Sequence, residues 1–378
     1  MEFLFTDTAL NRTQHNVSLH QDWVGSDFPT RFECTHEVLQ GGKQAQSELI
    51  TLTIGDLCIR VSPTRGMGII DAQYNALRMG WKSPVSEIVN PAFMDLGKSG
   101  GKGWLEGFNE LVARCGFQWA GHQGEDSGQH LTLHGEIQNT PASVVKLTVL
   151  DQYPFTVRLS GRADEKRFKG CAFEVWMHLD IVPGEAAFSV HDELFNRASY
   201  PSEYQVIYHN NFGLPLLNQD YRIAAPAREV SPFNHGAVKG LSTWSEIDPP
   251  TVGFGEEVYN LYPYADEEGR TLAALIHSRG EEGVAVRYNT HQLPVLTLWK
   301  NTDTVDHGYV IGIEPGTGFS YNRSHQRSMG LVPIIEAGGR QQFDLRFEFL
   351  LTADSVDSVL NDIAALQIKE PVLHTTPM

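Results

Sequence analysis

From Glu48 onward, apolar and polar positions alternate along most of the chain. ELITLTI and LCIRV carry the period of two that sends successive side chains to opposite faces of a strand, and the Gly55-Asp56 break between them predicts a hairpin. The same rhythm returns in SVVKLTVLD, FTVRLSGRA, CAFEVWMHLDIV and AAFSVHDELFN, almost in succession, and again in TLAALIHS, GVAVRYN, PVLTLWK, YVIGI, GLVPII and QQFDLRFEFL. Gly, Pro, Asn and Asp punctuate these runs, as expected of strands joined by turns. Only ADSVDSVLNDIAALQ, residues 353–367, has the spacing of a helix, with Val356, Val359, Leu360, Ile363 and Leu366 on one face and acidic residues in a first turn where the helix dipole favours them. The pattern predicts an all-β protein of antiparallel sheets with a C-terminal helix packed on the outside.

Residues 1–47 break this rhythm and read as an irregular polar arm, with scattered aromatics such as Trp23 and Phe28, packed on the main body. Residues 48–378 read as a single domain, because no linker divides them. Residues 220–266, with Pro226, Pro232, Pro249, Pro250 and Pro263, read as a long loop-rich excursion over one face.

Composition narrows the partners. A chain of 378 residues, 41% hydrophobic and 20% charged, with 35 Gly and 19 Pro, fits a soluble globular protein of many strands and tight turns. The 46 acidic residues against 29 basic ones give a net charge of -17, which weighs against nucleic acid and anionic membranes as partners and favours a small molecule. The same surface suits a monomer or a homodimer. Cys34, Cys58, Cys115 and Cys171 are widely spaced and read as reduced thiols, not as a disulfide framework or zinc site. MEFLFTDTALNRTQ lacks the basic start, apolar core and small-residue cleavage site of a signal peptide, and no apolar stretch is long enough to span a bilayer, so a cytoplasmic location is expected.

Two strand-like runs end in chemistry. GYVIGI delivers Glu314 directly before Pro315-Gly316-Thr317-Gly318, and EYQVIYHNNFGLP delivers His209 beside Asn210 and Asn211. A carboxylate and an imidazole presented from sheet edges can work as general base and general acid; the structural alternatives are a carboxylate paired with an arginine or capped by backbone donors, and a hydrogen-bonded core histidine. Arg65, beside the glycines of RGMGI, is a candidate clamp for a ligand oxygen, or half of an internal ion pair. Trp299-Lys300 closes PVLTLWK, and a tryptophan face suits the C–H surface of a sugar while lysine donates hydrogen bonds. Trp81, Trp104 and Trp119 are further aromatic candidates or core residues. His122, His130 and His134 gather near Glu125 and Asp126, but without a helical i, i+4 spacing or an HxH pair they make a weak metal signal. Phosphate-loop, dinucleotide, kinase and G-x-S-x-G motifs do not occur, which favours chemistry without a cofactor, and the weak ligand spacing weighs against a protein-bound catalytic metal.

The ordered set LHG around His134, YHNNFG around His209 and IEPGTG around Glu314 resembles the galactose mutarotase (aldose 1-epimerase) superfamily. RGMGI, Gly80-Trp81 and LWK at 298–300 bring it nearer an aldose-1-epimerase-like branch that includes deoxyribose mutarotase-type proteins; the similarity spans roughly residues 48–350. The resemblance implies a galactose mutarotase-like β-supersandwich with a sugar cleft on the concave face, and a cofactor-free isomerase that interconverts the α and β anomers of a free aldose. It implies Glu314 as general base, ionised though raised by burial, His209 as general acid, and His134 as the histidine on the ring-oxygen side. Arg65, Asn211, Lys300 and Trp81 are the further substrate-binding candidates. The aspartate with which the superfamily binds sugar hydroxyls has no clear counterpart in the 220–266 excursion. Two other readings remain open: a metal-dependent sugar ketol-isomerase with His122, His134, His209 and Glu314 as ligands, and a non-catalytic carbohydrate sensor.

Overall fold

The computed structural model describes residues 1–150, 154–218 and 220–378. Two large sheets, one of ten strands and one of thirteen, dominate it. Neighbouring strands within them run antiparallel except at the far edge of the larger sheet, where Ala227–Pro232 and Val372–Leu373 are parallel. Their apolar faces meet in one extended core that includes Ile59, Ile69 and Leu298 from the larger sheet and Leu159, Val190 and Phe347 from the smaller. This is the all-β architecture that the alternation predicts, and the two sheets on one core match the galactose mutarotase-like β-supersandwich that the resemblance implies.

The alternation delivers the strands it predicts. Glu48–Ile54 pairs with Leu57–Ser62 across Gly55, which takes a φ of 61° that favours glycine. The four successive runs become Val144–Leu150, Thr156–Lys166, Ala172–Ile181 and Ala187–Asn196, side by side in the ten-stranded sheet. Asp151, the last residue of the first run, lies outside the described residues. Ala353–Leu366 is helical, begins with a capping box between Thr352 and Ser355, and buries Val356 and Val359 against Leu272, Ala274 and Leu350 on the outside of that sheet.

Three expectations need correction. Residues 1–47 are woven into both sheets: Glu2–Asp7 pairs with Val144–Leu150 in the smaller sheet, and Phe32–Val38 pairs with Glu48–Ile54 in the larger. Phe5, Phe28, Phe32 and Cys34 are buried in the shared core, and Trp23, in the short helix Gln21–Val24, packs against it, so the scattered aromatics belong to elements and turns whose short runs hide their period. The 220–266 excursion supplies three strands, Tyr221–Ala224, Ala227–Pro232 and Glu257–Pro263, with its prolines at or beyond strand ends. GLVPII keeps only Ile334–Ile335 as strand, since Pro333 interrupts it.

Beneath the larger sheet, Arg114 and Asp192 join the two layers at 2.5 Å, with the Tyr208 hydroxyl donating to Asp192. Tyr208 faces this interlayer core, so its neighbour His209 faces outward from the sheet. No helix among the described residues is long and apolar enough to cross a membrane.

Candidate active site

Strand pairing brings His209 and Glu314 together. The register that sets Ile207 against Gly316 and Asn210 against Ile313 places His209 across from Glu314, and on the far side Glu314 lies opposite Thr297. His209 in turn sits opposite Ala113. Four neighbouring strands thus carry a row, Thr297, Glu314, His209 and Ala113, on the outer face of the thirteen-stranded sheet. His209 Nε2 stands 3.2 Å from Glu314 Oε1, and both side chains are buried. Gly312 makes room for this: a Cβ there would sit 2.4 Å from Glu314 Oε1.

The other face of the imidazole is fixed. His209 Nδ1 lies 2.7 Å from Asn211 Oδ1, while the Asn211 amide nitrogen donates to the carbonyls of Glu110 and His209. Those two carbonyls can only accept, so they orient the amide with its oxygen toward Nδ1, which therefore carries a proton. Nε2 is left to exchange a proton with Glu314. Burial pushes the His209 imidazole down to about 4, and burial, followed by the charge of Glu256, holds the Glu314 carboxyl well above the usual carboxylate range against an opposing hydrogen bond from Ser320. The free pair therefore favours a proton on Glu314 over the ionised carboxylate expected from the sequence.

His134 approaches from a turn. Its φ is 59°, a left-handed conformation uncommon for a non-glycine residue, held by backbone hydrogen bonds from Gly116 and to Gly121. Its ring lies edge-on to Trp104 at 4.8 Å and to His209 at 5.5 Å. Burial, then the neighbouring His209 and His122, keeps it well below its usual value and so neutral.

Trp104, Phe108 and Trp299 wall the cleft, with His122, Phe233, Val258, Thr297 and Ser320 along its sides. Lys102, Gln123 and Glu256 stand at the mouth. Glu256 accepts from Trp299 Nε1 at 2.9 Å, which fixes the indole. The cleft holds about 190 Å³, small beside the ~300–1,000 Å³ of drug-sized sites and suited to one small ring. Three buried polar atoms of its lining residues, His134 Nδ1, Trp104 Nε1 and Thr297 Oγ1, have no hydrogen-bond partner among the described residues, and Glu314 Oε1, though 3.2 Å from His209 Nε2, is not aligned for a hydrogen bond with it. Such atoms are rare in folded proteins unless a ligand or water completes them.

Of the sequence candidates, Glu314, His209 and His134 converge, and four others stand elsewhere. Arg65 has a fully buried side chain in the turn Pro63–Arg65, paired with Glu110 at 3.0 Å and donating to the Gly107 carbonyl and to Asn139; it cannot touch a ligand in the cleft, and the internal ion pair is the correct reading. Lys300 follows Trp299 and so faces the opposite side of the strand, with Nζ 3.4 Å from the Thr243 carbonyl and 3.8 Å from Asp248. Trp81 lies behind Phe108, with ring centroids 4.9 Å apart, and its indole donates to Glu110. Asn211 is completely buried, with its amide committed as described, and acts through His209.

The histidine-rich stretch also separates. His130 is an exposed partner of Glu125, and Asp126 is clamped by Arg323 and Arg327, while His122 and His134 line the cleft. Among the described residues, His122, His134, His209 and Glu314 do not form a group of donor atoms close enough to share one ion. Sequence reasoning missed Phe108, Thr297 and Glu256. Phe108 follows the five-residue 3-10 turn Gly103–Gly107, too short to show a period in the sequence. Thr297 had a signal, being two residues from Trp299 on the same strand face.

A family model described as "Domain of unknown function (DUF4432)" matches residues 44–349. The solved structure of a Klebsiella pneumoniae protein named as a candidate aldose 1-epimerase is 42% identical, with a TM-score of 0.97 over 100% of this chain and 99% of its own. A galactose mutarotase-like protein from Clostridium acetobutylicum and a galactose 1-epimerase from Lactobacillus acidophilus each give a TM-score of 0.54 over 84% of this chain and 98% of theirs. At 13% and 11% identity these two share the fold. No curated protein matches the sequence.

Proposed function

The chain belongs to the galactose mutarotase-like (aldose 1-epimerase) superfamily, in the family described as a domain of unknown function (DUF4432), and on that premise we propose that it is an aldose 1-epimerase acting on a free sugar. The observation that carries this reading is the approach of Glu314 and His209 to 3.2 Å in a cleft lined by buried polar atoms that have no partner among the described residues. Mutarotation acts on two oxygens bonded to the same carbon, so its acid and base must stand side by side, as these two groups do.

The reaction balances within the pair. Glu314 as carboxylate takes the proton of the anomeric hydroxyl, and His209 as imidazolium gives its Nε2 proton to the ring oxygen. The bond from the anomeric carbon to the ring oxygen breaks and an aldehyde forms. Rotation about the adjacent carbon–carbon bond exposes the other face, and reclosure returns both protons to their donors. The free pair holds the same single proton on Glu314; an inserted sugar separates the two groups, and its hydroxyls replace the solvation that the charged arrangement lacks.

In this reading neutral His134 hydrogen-bonds the sugar on its ring-oxygen side, Trp104, Phe108 and Trp299 cover its C–H faces, and Glu256 at the mouth takes the hydroxyl-binding role for which no aspartate could be found. Magnetisation-transfer NMR on a panel of free aldoses, deoxyribose included, tests it with wild type and Glu314→Gln side by side. Wild type should accelerate anomer exchange for at least one sugar, and the variant should lose about 10²–10⁴-fold of that acceleration. Equal rates for the two proteins would remove Glu314 as the base, and buffer-level exchange with every sugar would remove the activity.

A further inference from the structure

Far from the cleft chemistry, the amino-terminal segment passes from one sheet to the other. Arg12–Thr13 is the last strand of the ten-stranded sheet and Val17–Leu19 the last of the thirteen-stranded sheet, so His15 sits in the crossing between them. Ligand atoms of His15, His36 and Glu48 all lie within 4.8 Å of one another at this crossing. We propose that these three side chains form a binding site for a divalent transition cation of the zinc class, which staples the edges of the two sheets together.

The buried member is His36, on the strand Phe32–Val38. Its Nδ1 lies 2.9 Å from the Gln14 carbonyl oxygen. A carbonyl only accepts, so Nδ1 carries the proton, and Nε2 is directed at Glu48 Oε2, 3.2 Å away. Gln14 is itself anchored, its N–H donating to the Phe5 carbonyl and its side-chain amide to Leu4. A histidine that donates one N–H to a fixed backbone carbonyl while the other nitrogen faces a carboxylate has the outer-sphere support typical of metal-binding imidazoles.

The spacing agrees. Bonds of ~2.0–2.2 Å to a tetrahedral zinc place two ligand atoms about 3.3–3.5 Å apart, close to the 3.2 Å between His36 Nε2 and Glu48 Oε2. Register explains why the pair is preset: His36 faces Ile50 and Val38 faces Glu48, so His36 and Glu48 are diagonal neighbours on one face of the hairpin. His15 stacks near His36, with ring centroids 6.0 Å apart, and is exposed. In the proposed site its imidazole is the third ligand, its ring nitrogen within 4.8 Å of the other two ligand atoms, with water in the fourth position.

A proton on His36 Nε2 would also satisfy Glu48, but it would place an imidazolium beside a second imidazole, His15, that has no part in the pair. A divalent cation uses all three groups. Two imidazoles and one carboxylate match zinc or its neighbours better than calcium or magnesium, which prefer oxygen ligands.

The test is equilibrium dialysis of chelator-treated full-length protein against Zn²⁺, followed by metal analysis, with thermal melts in parallel. Wild type should bind one Zn²⁺ at this site and melt at a higher temperature in its presence. His15→Ala should lose the melting shift and bind at least ~10–100-fold more weakly, the loss typical even of removing an outer-sphere partner. His15 is exposed, so this variant keeps the core intact, and Glu48→Gln provides a second, near-isosteric probe. Absence of binding by wild type would reduce the cluster to an ion pair and overturn the proposal. Undiminished binding by His15→Ala would overturn it equally, because the ion would then sit elsewhere, the cleft histidines included.

Discussion

One proton shared between two groups is the central feature at the residue scale. Glu314 and His209 face each other across a strand pair in a buried setting, where a neutral carboxylic acid beside a neutral imidazole is favoured over the ion pair. The two titrate as a unit. Their active form holds one proton, and a second is added only where burial allows His209 to become charged, at about 4. The sign follows: on falling pH the pair gains its second proton and loses its base, so kcat/KM should stay level from neutrality to about pH 5 and fall near 4, whereas an ordinary histidine would set that limb near ~6.5. Steady-state rates across this range, with a return to neutral pH to separate titration from unfolding, check it. A limb centred near 6.5 would show that His209 is more solvated than its burial implies.

At the scale of the element, alternation both revealed the site and misled about it. Glu314 and His209 were legible because each closes an apolar run, where a polar group needs a reason. Lys300 departs from its expected role because adjacent strand residues face opposite sides, so of Trp299 and Lys300 only Trp299 lines the cleft. Arg65 lies in a turn between strands, where no period indicates a direction. Trp104 lies within the short 3-10 turn Gly103–Gly107 and Phe108 directly follows it, and both reach the cleft through tertiary packing, which one sequence does not encode locally. The strand Val310–Gly316 also shows how a missing side chain can be functional. Gly312 shares a face with Glu314, and the carboxylate folds into the space a Cβ would take. Gly312→Ala should therefore displace the carboxylate and lower kcat by about 10²-fold, the cost of a misplacement of order 1 Å. Kinetics together with a urea melt would show whether the loss is catalytic; a stable variant with wild-type kcat would mean that Glu314 is not held by this packing.

For the whole molecule, the cleft depends on charges buried behind it. Glu110 accepts from Arg65, from the Gln138 amide and from the Asn109 N–H, and its carbonyl accepts from Trp81 and Asn211. Arg65 also holds the Gly107 carbonyl, just before Phe108. One ion pair thus reaches both sides of the site: through Asn211 to the imidazole, and through Gly107 to the aromatic wall. Arg65→Ala would leave the Glu110 carboxylate buried without its cation, a change that costs about 3–5 kcal/mol in comparable pairs. A direct sugar contact would behave differently, raising KM at unchanged stability. Urea unfolding and KM measured on the same preparation separate the two. The buried pair predicts a large fall in the unfolding midpoint, and any change in KM should be removed by conditions that restore the fold. An unchanged midpoint with a raised KM would return Arg65 to the cleft and would require a different arrangement of the 103–108 turn from the one that encloses it.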